Sequence, residues 1–201
     1  MKRFRHCLVV AAVLLVAASV YAGCSTPAPA EAPAAAADPP FQPIATVREV
    51  MNSVIDPSID EVWNSVQTVV DDKGMTDHAP VTDEQWAEVR RHALVVGEAA
   101  NLLLMHDRPV AHPGEPSLAP GVELPPEEIR SLIDRNPDAW SSYVLQLQDS
   151  MKLALAAIDK KDTQALFDAG EQIDTTCENC HSVFWYPNAG GPTPTAAASA
   201  R

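Results

Sequence analysis

Residues 162–181 read DTQALFDAGEQIDTTCENCH. Asp162 is a helix N-cap residue, and Leu166, Ala169 and Ile173 follow at three- and four-residue spacing. That pattern predicts an amphipathic helix running toward Cys177-Glu178-Asn179-Cys180-His181. The same period recurs upstream. Asn136-Pro137 caps a helix that continues to Asp159, where Lys160-Lys161 break the periodicity. Thr82 with Gln85 forms a capping box for a helix from Asp83 to His106. Val47, Val50, Met51, Val54 and Ile55 share one face, continued by Ile59, Val62, Trp63, Val66, Val69 and Val70 until Lys73-Gly74. Pro57 interrupts this run, but Asp56-Pro57 also reads as a cap and first-turn proline, giving one kinked helix or two collinear ones. A Pro/Gly-rich connection spans 107–125, and a short helix begins at Pro126. Four long amphipathic helices without a convincing strand predict an all-α, up-down-up-down four-helix bundle, with Trp63, Trp86 and Trp140 packed between helices.

The rest of the chain frames that unit. A length of 201 residues with 46% apolar content suits one globular domain. Only 8 glycines argue against a sandwich or barrel, and the 18 prolines cluster as punctuation. Met1 to His6 is basic, and Cys7 to Val20 is apolar but too short to span a membrane, so 1–23 reads as an export signal. It ends at Tyr21-Ala22-Gly23-Cys24, which resembles the bacterial lipoprotein signal, with tyrosine where leucine is usual. The resemblance implies that Cys24 becomes the lipid-modified first residue and anchors the protein to a membrane in the periplasm; without lipid it is soluble there. Residues 24–43 are an Ala/Pro-rich tether, 44–186 the folded unit and 187–201 a low-complexity tail.

Lys plus Arg number 14 against 27 Asp plus Glu, a net charge of −13. Losing Lys2, Arg3 and Arg5 with the signal makes it −16. Such a chain is a poor holder of phosphate backbones, which excludes nucleic-acid binding. Its surface would instead steer toward a basic patch on a redox protein, with attraction that fades in salt. The carboxylates show no paired arrangement for acid–base catalysis, so an enzyme is not expected.

C-x-x-C-H is the attachment signature of c-type haem. Two thiols at this spacing add to the two vinyl groups on one porphyrin edge, and the adjacent histidine reaches the iron. A Cys177–Cys180 disulfide would leave His181 incidental. A thioredoxin-like pair wants a βαβ setting that is absent, and a zinc site lacks a second cysteine pair.

A four-helix pattern with a single C-x-x-C-H near the end of its last helix resembles the class II cytochromes c, the cytochrome c′ group, over about 44–186. More narrowly, Val47 to Met51, Asp56-Pro57, Trp63 and His181 to Pro187 resemble a set of exported cytochromes of that class. The departure is Phe184-Trp185-Tyr186, where the group usually carries a basic residue one turn after the haem histidine. These aromatics are expected to cover a porphyrin edge.

Topology bears on the second iron ligand. In such a bundle the first and fourth helices run antiparallel, which brings Met51 to the level of His181. The resemblance points the same way, since low-spin members take a methionine from the first helix. Met105, His106 and His112 compete at that level; His78 and His92 fit less well. Arg48, one turn from Met51, either pairs with a haem propionate or is a surface charge. Two functions follow: an electron carrier closed by His181 and Met51, or a five-coordinate NO- or CO-binding or sensing cytochrome with Met51 as a lid. The resemblance also implies dimerisation through the first two helices.

Overall fold

The computed structural model describes residues 41–187. The leader, Cys24, the tether up to residue 40 and the tail from 188 lie outside the described residues.

The chain enters its first helix through a capping box. Thr46 Oγ1 accepts from the Glu49 amide at 3.1 Å, and Glu49 Oε2 accepts from the Thr46 amide at 2.8 Å. Helix α1 (Val47–Val50) passes into a π-helical turn, Met51–Ile55, and then into α2 (Asp56–Ser65). The turn is widened because Pro57 has no N–H to give the carbonyl one α-turn behind it. The Asp56 amide reaches back five residues to the Met51 carbonyl instead. Asp56 therefore lies inside a continuous helical path and makes no side-chain cap.

Helix α2 ends at Ser65, short of the expected run through Val70. Val66 is extended, and an antiparallel hairpin follows, β1 (Gln67–Asp71) with β2 (Gly74–His78). Val66, Thr68, Val69 and Val70 are β-branched and suit a pleated ribbon. The Lys73 amide donates to Asp71 Oδ1 at 2.8 Å, and Gly74 supplies the φ of 128° the turn needs. Every strand residue is exposed, so the apparent helical face at Val69 and Val70 buries nothing. The fold is mostly helical with this small two-stranded sheet.

Helix α3 (Asp83–Leu103) opens on the Thr82–Gln85 capping box as expected. Helix α4 (Pro126–Arg135) is followed directly by α5 (Pro137–Asp159). Asn136 takes the N-cap position of α5 as expected but without a side-chain capping bond; its side-chain amide donates instead to the Leu132 carbonyl at the end of α4. Helix α6 (Thr163–Phe184) opens on Asp162, which accepts from the Ala165 amide at 3.0 Å.

Helix α5 packs extensively on α6 and on α3, α2 packs on α3, and α2 touches α6 only lightly. Ala93, Val96 and Ala100 of α3 and Ala154 of α5 are wholly or nearly wholly buried; small side chains there let the central helices approach closely. Trp86 and Trp140 are buried. Trp63 donates its indole N–H to the Gly170 carbonyl at 3.2 Å across the looser α2–α6 seam. A groove of about 590 Å3, lined by Val62, Trp63, Leu166, Phe167 and Gly170 among others, runs along that seam. Among the described residues no helix is long and apolar enough to cross a membrane.

Candidate functional site

At 100° per residue, positions 177, 180 and 181 fall on one face of α6. The fold seals α6 to α5 immediately before them: Ser150 Oγ and Thr176 Oγ1 share a buried hydrogen bond at 2.9 Å. Cys177, Cys180 and His181 all line a narrow apolar cleft. Its other walls are Val47 and Met51 from the first helix, Leu103 of α3, Trp140, Tyr143, Val144 and Leu147 of α5, and Trp185. Both cysteines are free thiols.

The α5 residues were not anticipated as site residues. Their signal was present, because 140, 143, 144 and 147 form one helical face and an antiparallel neighbour of α6 brings its start to this level. Trp140 fixes the wall: its indole N–H donates to the Leu103 carbonyl at 2.9 Å, satisfying an end group of α3. Its ring meets Phe184 edge-on at 5.2 Å and stacks on Trp185 at 6.2 Å. The three aromatics after the motif separate in role. Phe184 is wholly buried against Trp140 and Tyr143, Trp185 lines the cleft, and Tyr186 packs edge-on to His181 at 6.3 Å while donating to Glu178 at 2.7 Å.

The electrostatics favour neutral donors. Burial pushes the Cys180 thiol up to about 12, with Cys177 adding to it. Burial also pushes Cys177 up to about 11, helped by the carboxylates of Asp174, Asp56 and Glu178. A redox or nucleophilic pair requires a stabilised thiolate, and neither cysteine has one. Burial lowers the His181 pKa against the opposing pull of Asp56, Glu178 and Glu123, so the imidazole is neutral at pH 7 with a lone pair free to bind a metal. Asp56, which the sequence suggested only as a cap, is thus close enough to His181 and Cys177 to act on both.

The other candidates stand elsewhere. Met105 Sδ accepts from Arg108 at 3.0 Å, His112 pairs with Glu49 at 3.1 Å, and His92 pairs with Glu88 at 3.1 Å. His106 and His78 are exposed, and none of the five lines the cleft. Arg48 reaches Glu115 at 3.5 Å and the Pro116 carbonyl at 2.9 Å, outside the cleft lining. Besides His181, Met51 is therefore the one imidazole or thioether lining the cleft among the described residues.

Two thiols, an imidazole and a facing thioether in an apolar, aromatic-walled cleft match the donor set of a covalently held haem. Breadth is the unmet requirement. The cleft holds about 40 Å3, room for a few waters and not for a macrocycle. The wall carrying Met51 packs mainly on α3 and only slightly on α6. Comparison with protein-family models, characterised proteins and solved structures finds no match.

Proposed function

We propose that the chain is a monohaem c-type cytochrome of the class II, four-helix-bundle kind, exported to the periplasm, tethered through a lipid on Cys24 and carrying electrons rather than catalysing a reaction. The observation that carries this reading is that Met51 and the Cys177–Cys180–His181 set, 126 residues apart at their nearest, line one apolar cleft. The Cys177 and Cys180 sulfurs would hold the porphyrin as thioethers, and the His181 imidazole and Met51 thioether would ligate the iron. A haem bound there supplies a one-electron Fe(III)/Fe(II) couple. The chain's own part is to keep the ligands neutral and the surroundings dry: Trp140, Val144, Leu147 and Trp185 exclude water, and a thioether opposite an imidazole raises the potential. The partner on this reading is a redox protein with a basic docking patch, and self-association would use the first two helices.

Production in a host with c-type haem maturation tests the reading. Denatured protein should retain haem and gain its mass, and C177A and C180A together should abolish that. Haem that extracts into acidified organic solvent would overturn covalent attachment. A covalent but high-spin wild type would replace the electron carrier by the five-coordinate gas-binding form.

A further inference from the structure

The wall of the cleft that carries Met51 is fixed from outside. The Val47 amide donates to the Pro109 carbonyl at 2.8 Å and the Arg48 amide to the Val110 carbonyl at 3.0 Å. These are first-turn N–H groups with no intrahelical partner. Segment 108–110 is in turn held by the Arg108 side chain, which is 3% exposed. Its Nε donates to the Leu102 carbonyl at 2.7 Å, its Nη1 to the Ala45 carbonyl and its Nη2 to Met105 Sδ at 3.0 Å. The Arg108 carbonyl accepts from Arg130 at 3.0 Å. Asp107, just before it, adopts φ of 59°, a left-handed conformation that costs a non-glycine residue energy and turns the chain inward.

Among the described residues Arg108 pairs with no carboxylate. A buried cation met only by neutral acceptors is a costly way to gain stability. What the planar fork does provide is direction: it ties the end of α3 (Leu102, Met105) to the residue that leads into α1 (Ala45) in one rigid geometry.

We propose that Arg108 is a positioning residue that clamps the start of α1 and so governs whether Met51 stays in the cleft wall. On the cytochrome reading above, on which this rests, the clamp sets how tightly the sixth iron position is closed to small gases.

The test compares full-chain holoprotein with R108M, which keeps an unbranched apolar stem without the donors, and R108K, which keeps the charge without the fork. In R108M the Val47 and Arg48 amides should exchange with solvent about fivefold faster, the worth of one net hydrogen bond. Amides of Met151 and Ala154 in α5 should be unchanged. Carbon monoxide should bind the ferrous protein faster by a similar factor, and R108K should follow R108M. Unchanged protection of Val47 and Arg48 in both variants overturns the clamp, as does a uniform acceleration over all helices. R108K matching the wild type overturns the role of the fork. A high-spin wild type defeats the Met51 ligation reading instead, and is visible in the spectrum before any variant is made; the exchange measurement then decides on the clamp alone.

Discussion

Burial moves the titratable groups of the site in opposite senses, and each stays uncharged at pH 7. The thiols are pushed up and stay protonated, which protects them from adventitious oxidation, while the imidazole is pushed down and stays neutral. Outside the cleft, Glu49 and His112 pull each other the other way. Hydrogen bonds from the Thr46 backbone and from His112 hold Glu49 down at about 2, and Glu49 raises His112 above its ordinary 6.5. A depressed carboxylate stabilises the fold above its ordinary 4.5 and loses that contribution as pH falls through about 2. A raised histidine contributes fully below 6.5 and loses it as pH rises through its folded value. Both act in full between 4.5 and 6.5, where the loop is tied most firmly to α1. NMR titration should give His112 a midpoint above 6.5 that falls in E49Q; a wild-type midpoint already at the ordinary value would contradict the pairing. Both groups are exposed, so the effect on melting temperature should be small. Trp140 is different in kind. W140F leaves the buried Leu103 carbonyl without its donor and should cost about 1 kcal/mol, a fall of a few degrees in melting temperature.

At the scale of elements, the π turn is what aims Met51. Deleting Ser53 removes the extra residue that widens the turn. The helix before it should then rotate by about 100° and shift by about 1.5 Å against α2. Far-UV circular dichroism should hardly change, while the spectrum of a Met51-ligated iron should be lost; an unaltered spectrum would show that the turn does not set the ligand. The hairpin carries the opposite expectation. Because every residue of β1 and β2 is exposed, replacing 67–78 by a short Gly/Ser linker should leave the melting temperature and the haem spectrum nearly unchanged. These two elements also mark where the sequence was misleading. The caps at Thr82 and Asp162 and the long helices α3, α5 and α6 were legible because cap chemistry and a 3.6-residue period coincide there. Val69 and Val70 fit that period equally well, but they lie beyond the core, so backbone preference decides them. Pro57 signalled an interruption without showing that the interruption is a π turn. The motif cysteines and His181 were legible because their chemistry is local. The α5 wall of the cleft left only its helical face in the sequence; which helix that face would meet depends on the tertiary arrangement beside α6.

For the whole molecule, the division of packing is the main feature: a firm α3–α5–α6 body and a lightly held seam between α2 and α6. That asymmetry leaves α2 held mainly by α3, while the Pro109 and Val110 carbonyls anchor α1. It also predicts that protein lacking haem, as in C177S with C180S, keeps most of its helical signal and loses amide protection first in 47–65. Equal loss over α5 would contradict a seam of local weakness. At longer range, a charge of −13 spread over solvent faces predicts electron exchange with a basic partner that slows steeply as ionic strength rises. Rates independent of salt would remove charge steering from the account. The anchor has its own test: C24S should move the protein from the membrane fraction to the soluble periplasm or block its processing.

The central claim, that one cleft gathers both axial ligands of a covalent haem, meets its most direct test in the absorption spectrum of the oxidised holoprotein, wild type against M51A. The wild type should be low-spin with a far-red sulfur-to-iron band. M51A should lose that band, turn high-spin, bind carbon monoxide readily once reduced and fall in potential, while H106A leaves every one of these unchanged. An M51A spectrum identical to the wild type, or one altered by H106A in its place, would contradict the account.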